Sequence, residues 1–204
     1  VAQDMSEFDI FKQLNDAEID RILGSLKRSE YTAGEFIFTT GDRADCLYIL
    51  TNGLVKISYI TADGNEKILD IFEPGDIFGE LFLGKYRHRI GQAEAIKDVV
   101  VYRLFEDDLY NCINDFPRFG VNFIHHLVDE QREIFARMHA LLRSDAKTRL
   151  LSTLLTLARH YSSSSDDEYT LDESITQEDI ANISGLNRST VSSLINRFRR
   201  EGIL

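Results

Sequence analysis

The chain holds only two cysteines, Cys46 and Cys112, too few for a disulfide framework or a cysteine-ligated iron–sulfur cluster. No run approaches the roughly 18–20 consecutive apolar residues of a membrane span, and no basic-then-apolar secretory signal opens the chain. Histidine is absent before His88. Positive charge is also scarce: 23 Lys and Arg face 34 Asp and Glu, a net charge of −11. Taken over the whole chain, that balance argues against a phosphate-rich partner. What is present is ordinary for a globular protein with a real core: 204 residues, 43% hydrophobic and 28% charged. The length suits one large domain or two modest ones. The expectation is a soluble, cytoplasmic chain with no membrane partner.

The first thirty residues read as helix-rich. Phe8, Ile10, Phe11, Leu14, Ile19, Ile22, Leu23 and Leu26 recur mostly every three or four positions, with Asn15 or Asp16 as N-cap. From about Glu30 to Phe105, short Val-, Ile-, Tyr- and Phe-rich runs are punctuated by eight glycines. The expected strands are 36–39, 47–50, 54–60, 66–71, 92–95 and 99–104. Asp63-Gly64 between two of them predicts a type I′ hairpin turn. Many short strands at regular spacing predict a closed or rolled antiparallel barrel.

After Glu106 the glycines thin out. From Val121 to Leu142, Ile124, Leu127, Gln131, Ile134, Met138 and Leu141 follow a heptad seam. A second row, Val128, Phe135 and Leu142, flanks it. A helix apolar on two faces has two partners: the barrel, and here a second copy of the chain, with Gln131 helping to set register. A further helix runs from Lys147 to Tyr161, and Ser162–Ser165 with Asp166–Glu168 reads as an exposed loop.

The strongest motif spans Ile175 to Ile195. Thr176 caps a helix with Asp179 in the capping-box position, Gly185 permits a tight turn, and Val191, Leu194 and Ile195 face the core from a second helix. This is the helix-turn-helix layout, and an ordinary helical hairpin is the plainer alternative. The second helix presents Asn187, Arg188, Ser189 and Thr190 at its start, where such helices read base edges. Arg188 can read guanine bidentately, and Thr176, Ser189 and Arg197 can hold phosphates. Charge placement supports this. Residues 144–204 carry 7 Lys and Arg against 9 Asp and Glu, while Leu186 to Glu201 is locally +3. The acidity lies elsewhere.

A second, weaker motif is Pro74-Gly75-Asp76-Ile77-Phe78-Gly79-Glu80-Leu81, followed by Arg87-His88-Arg89-Ile90-Gly91. Glycine at a strand-to-helix step exposes backbone N–H groups that can cradle an anion. Glu80 can accept from a ribose hydroxyl, and Arg89 can pair a phosphate. A simple turn explains the same residues.

Together, DCLYILTNG over 45–53, Val55-Lys56-Ile57, the 74–80 motif and the helix-turn-helix resemble the cyclic-AMP receptor protein and fumarate–nitrate reduction regulator family over almost the whole chain. The resemblance implies an α+β fold. It places an N-terminal antiparallel β-roll of the cyclic-nucleotide-binding kind, with flanking helices, in residues 1–115. A dimerisation helix then covers 116–143 and a C-terminal winged helix-turn-helix 144–204. The family's wing would begin at Arg199–Leu204, which implies a segment beyond Leu204. Function would be that of a homodimeric transcription regulator that binds double-stranded DNA, and RNA polymerase if it activates. An effector in the roll would reposition the recognition helices on a palindromic operator. Gly79, Glu80, Leu81, Arg89 and Ile90, with Ile134 and Phe135, would meet the effector. DNA contacts would fall on Thr176, Gln177, Asn187, Arg188, Ser189, Thr190, Ser192, Ser193 and Arg197.

The departures are chemical. Ile90 stands where cyclic-AMP binders carry a phosphate-facing serine, and Ile134-Phe135 replaces a Thr-Ser pair that meets the adenine. Both argue against cyclic AMP. The cysteine cluster of oxygen-sensing members is absent, against an iron–sulfur sensor. Haem stays open through His88, His125, His126, His139 or Cys46. The remaining alternatives are a cyclic-nucleotide-binding-like adaptor without DNA function, and a metal-dependent β-barrel enzyme. The enzyme needs clustered imidazole and carboxylate ligands, and the first 87 residues offer no imidazole.

Overall fold

Asn15 accepts from the Glu18 N–H at 3.0 Å while Glu18 accepts from the Asn15 N–H at 2.9 Å. This reciprocal capping box starts helix α1, Asp16–Ser25. Upstream of it, among the described residues, Asp9–Phe11 forms a short 3-10 turn, and Gln13 takes a positive φ of 63°. The apolar spacing over 8–26 thus marks burial rather than one continuous helix. The computed structural model describes residues 5–143, 145–165, 168–171 and 175–204, with the side chains of 140–143, 159–165 and 168–170 left aside. The chain divides into two units, Val1–Ile57 with Ile71–Arg132, and Ser58–Asp70 with Glu133–Leu204.

The first unit holds most of the roll. Its strands are β1 (Lys27–Tyr31), β2 (Phe36–Phe38), β3 (Cys46–Asn52), β4 (Val55–Ile60), β5 (Glu66–Phe72), β6 (Ile77–Phe78), β7 (Gln92–Ala95) and β8 (Val99–Phe105). They form two four-stranded sheets, β1-β8-β3-β6 and β2-β7-β4-β5. Sequence reading missed β1 and β6. The polar run Lys27–Tyr31 is a strand because it pairs antiparallel with Val99–Arg103 at the sheet edge, and Ile77–Phe78 because it pairs with Tyr48–Ile49.

Strand β3 is buried from Cys46 to Leu50, and strand alternation explains why. Cys46, Tyr48 and Leu50 enter one core with Phe38, Phe72, Phe78 and Val101. Leu47 and Ile49 point the other way, into a core with Ile10, Ile19, Ile22, Phe82 and Phe119. Helices α2 (Glu106–Asp115) and the start of α3 (Pro117–Arg143) supply Leu109, Cys112 and Phe123 to that second core. Asn122, buried on α3, donates to the carbonyls of Ile10 at 3.0 Å and Lys12 at 2.8 Å. It ties the N-terminal segment down.

The β4–β5 loop differs from the expected type I′ turn. Only Gly64 of the Asp63-Gly64 pair adopts positive φ, and the Thr61 N–H donates to the Asn65 carbonyl at 2.9 Å. Asp63 accepts instead from Thr61 Oγ1 and Asn65 Nδ2, which favours the wider loop.

The second unit contains the outer part of that hairpin, the end of α3, and helices α4 (Ala146–Tyr161), α5 (Gln177–Ser184) and α6 (Arg188–Arg200). Arg137 on α3 donates to Asp70 of β5 at 2.7 Å. Leu150, Leu154, Leu157, Ile180, Ala181, Leu186, Val191, Ile195 and Phe198 are buried. The stretch expected to be a loop after Tyr161 is a hairpin, β9 (Ser162–Ser165) antiparallel to β10 (Glu168–Leu171). A run of serines carries no turn-or-strand periodicity, and backbone pairing alone decides its state. Residues 166 and 167 lie outside the described residues.

Candidate functional site

Strand β6 delivers the chain to Gly79, which caps a 3-10 turn over Glu80–Leu83 with φ 82°. A Cβ at Gly79 would stand 2.8 Å from Arg89 Nη1 and 3.1 Å from the Tyr48 ring. Only glycine fits. Arg89 is only 6% exposed. Its Nη1 donates to the Gly79 carbonyl at 2.5 Å and its Nη2 to the Cys46 carbonyl at 2.7 Å. The guanidinium lies 4.4 Å from the Phe38 ring centre and 5.4 Å from that of Tyr48, and Tyr48 stacks on Phe78 at 5.0 Å. Its Nε, also buried, has no hydrogen-bond partner among the described residues.

The cassette is therefore built around a buried cation held by neutral carbonyls and π faces. Among the described residues no carboxylate stands within ion-pair distance of it. Burial raises the Glu80 carboxyl above the usual range, opposed by a backbone hydrogen bond and then by the Arg89 charge. Burial also raises the Cys46 thiol and the Tyr48 phenol, as expected in an apolar interior that disfavours anions. Leu81 and Ile90 are exposed. Sequence reading found Gly79, Glu80, Leu81, Arg89 and Ile90 but missed Phe38 and Tyr48, whose partnership with Arg89 spans strands far apart in the chain.

In the second unit, Thr176 Oγ1 accepts from the Asp179 N–H at 3.2 Å, and Asp179 accepts from the Thr176 N–H at 2.9 Å. This box starts α5, and Gly185 ends it in the left-handed conformation. Val191, Ile195 and Phe198 bury one face of α6. Asn187, Arg188, Ser189, Ser193 and Arg197 are exposed, as are Thr176 and Gln177 on α5, while Thr190 and Ser192 are half-buried. All nine residues expected to contact DNA lie on α5 and α6 or at their N-caps, Thr176 and Asn187.

A roll with a glycine–arginine cassette and a capped helix-turn-helix have counterparts. The chain matches the cyclic nucleotide-binding domain over residues 28–116 and the Crp-like helix-turn-helix domain over residues 148–204. It is 28% identical, over 95% of its length and 86% of the relative's, to a CRP-like cAMP-activated global transcriptional regulator of Mycobacterium tuberculosis. It is 28% identical, over 96% of its length and 87% of the relative's, to the cyclic AMP receptor protein of Thermus thermophilus. A solved CRP/FNR-family transcriptional regulator from T. thermophilus superposes with a TM-score of 0.68 at 28% identity, covering 86% of this chain and 87% of that one. The chain belongs to the CRP/FNR family. It is a DNA-binding transcription regulator with an effector-binding domain.

Along α3 of this CRP/FNR regulator, Ile124, Gln131, Ile134, Phe135 and Met138 are exposed, but Leu127 packs into the roll-side core. Val121 and Val128 are exposed instead. The open row is Val121, Ile124, Val128, Gln131, Phe135 and Met138, still at three-four spacing. The Leu141 side chain lies outside the described residues. Of the histidines considered for haem, His88, His125 and His139 are exposed. His126 is half-buried, hydrogen-bonds the Ile77 backbone, and is held below its usual pKa by burial. Cys46 and Cys112 are both buried and free. Among the described residues no three His, Cys, Asp or Glu side chains converge to hold a metal ion, and no helix is long and apolar enough to cross a membrane.

Proposed function

We propose that this regulator works as a homodimer joined along the α3 row Val121, Ile124, Val128, Gln131, Phe135 and Met138. Two α6 helices would then read the half-sites of a pseudo-palindromic operator. The observation that carries this reading is α6 itself: a helix locked by Val191, Ile195 and Phe198 that turns a polar, arginine-flanked face to solvent. The α3 row supports the dimer, since an exposed apolar stripe with one polar register position is the pattern of a two-stranded coil. Selection from a random duplex pool tests the proposal, with sedimentation velocity on the complex. Enrichment of an inverted repeat bound by two copies is expected. Enrichment of nothing, or binding by a single copy to a non-repeated site, overturns it.

For the effector, the buried Arg89 guanidinium without a counter-charge favours a small anion in the cassette, since an unpaired buried charge is costly and an anion relieves it. Two relatives carry cyclic AMP in their names. Here Ile90 presents no hydroxyl to a phosphate, and Ile134 and Phe135 present none to a purine. Cyclic AMP at about 1 mM is expected to leave the thermal transition unmoved. A rise of several degrees would reverse that assignment. Effector occupancy would bias a two-state reorientation of the recognition helices, read as effector-dependent operator affinity.

A further inference from the structure

Arg188 and Arg197 are nine residues apart on α6, about two and a half helical turns, so they occupy opposite edges of its exposed face. Between them lie Ser189, Ser192, Ser193, Asn196 and Arg200. A helix seated in a major groove turns its middle to the bases and its edges to the two phosphate backbones. Each edge arginine has a carboxylate beside it from beyond that face. Arg188 Nε is 3.8 Å from Oε2 of Glu178 on α5. Arg197 Nε donates to Oε1 of Glu201 at 2.6 Å, and Glu201 Oε2 is 3.5 Å from Lys147 Nζ on α4. Glu201 caps the C-terminus of α6, the end of a helix where a negative charge is least favoured.

We propose that Glu178 and Glu201 are built-in stand-ins for DNA phosphate. They hold the two flanking arginines in the free protein and must be displaced when the helix enters a groove. The consequence is weakened binding to bulk DNA, so that occupancy depends on the full set of operator contacts. This inference rests on α6 being the DNA-reading helix. Each displaced carboxylate takes back a counterion, so each pair reduces the net ion release on binding by about one.

Fluorescence anisotropy with a 30-bp duplex of mixed sequence, at about 50 to 200 mM salt, tests the proposal. Glu178→Gln and Glu201→Gln are each expected to steepen the slope of log K against log salt by about 0.9. Each should bind about tenfold tighter at the low-salt end and about threefold tighter at the high-salt end. Arg197→Gln in the Glu201→Gln background should cancel the gain, and Asp107→Asn, on α2 of the roll, should leave binding unchanged. Slopes unchanged in glutamine variants that retain the wild-type circular dichroism and melting temperature overturn the proposal. So does a gain that survives Arg197→Gln, or one that Asp107→Asn reproduces. If a variant melts early, its partner at the opposite edge decides the matter alone. A wild-type chain that binds no duplex of any sequence instead refutes the assignment of α6 itself.

Discussion

Replacing Gly79 with alanine separates backbone strain from the cassette's internal latch. The φ of 82° puts a Cβ in the left-handed region, at about 1–2 kcal/mol. The new methyl would also stand 2.8 Å from Arg89 Nη1 and 3.1 Å from the Tyr48 ring. An arginine tip is normally free to swing aside. This one is pinned by hydrogen bonds to Gly79 and Cys46 and by two aromatic faces. Moving it breaks a hydrogen bond from a charged donor, worth about 1.5–3 kcal/mol. The sum is about 3–5 kcal/mol. Gly64 supplies the control: its φ is 83°, and nothing lies within 4 Å of a Cβ there. Gly64→Ala should therefore cost only the strain, about 1–2 kcal/mol. The assay is urea unfolding of the full chain followed by tyrosine fluorescence, since tryptophan is absent and Tyr48 sits in the cassette. The difference between the two variants, about 2–3 kcal/mol, is the quantity of interest. Equal losses at both positions would show that the Arg89 latch does not constrain Gly79.

Asn122→Ala removes two buried donors and leaves the Ile10 and Lys12 carbonyls bare; a loss of about 2–3 kcal/mol is expected in the same urea titration, with faster amide exchange over residues 8–14. Burial, and then the neighbouring Asp76, raises the Glu73 carboxyl to about 7. The folded state therefore holds that proton more tightly than the unfolded chain, and this contribution to stability falls as pH rises from about 4.5 to 7. Glu73→Gln should flatten the melting temperature across that window, and an unchanged pH profile would refute the assignment. Thr176→Ala breaks the α5 capping box and should cost about 1 kcal/mol, read as a lower melting temperature of the helix-turn-helix unit with DNA contacts otherwise retained.

Features that depend on near neighbours in the chain were legible without a structure. The capping box at Thr176 and Asp179, the turn at Gly185 and the core-facing Val191 and Ile195 all act within one or two helical turns; Phe198, buried one turn further on, was not read from the sequence, and Leu194, expected in the core, is only half-buried. Six of the eight roll strands also declared themselves by β-branched and aromatic composition between glycines. Strands β1 and β6 did not, because a polar edge run and a two-residue pair become strands only through their partners. On α3, the three-four spacing fits two adjacent rows equally well. The roll core takes Leu127 and so leaves Val121 and Val128 in the open row.

The amino-acid sequence by itself thus determined the order of roll, long helix and helix-turn-helix, because local periodicity and turn chemistry encode it, while the cassette residues were marked as a site only by the family resemblance. Tertiary structure alone decided that Arg89 is an interior cation between Phe38 and Tyr48, and that Arg188 lies beside Glu178 and Glu201 beside Lys147. Those contacts join elements distant in the chain or set by packing angle. The net charge of −11 contains no record of which carboxylate faces which arginine. The Arg188–Glu178 pairing exists only once α5 and α6 have packed.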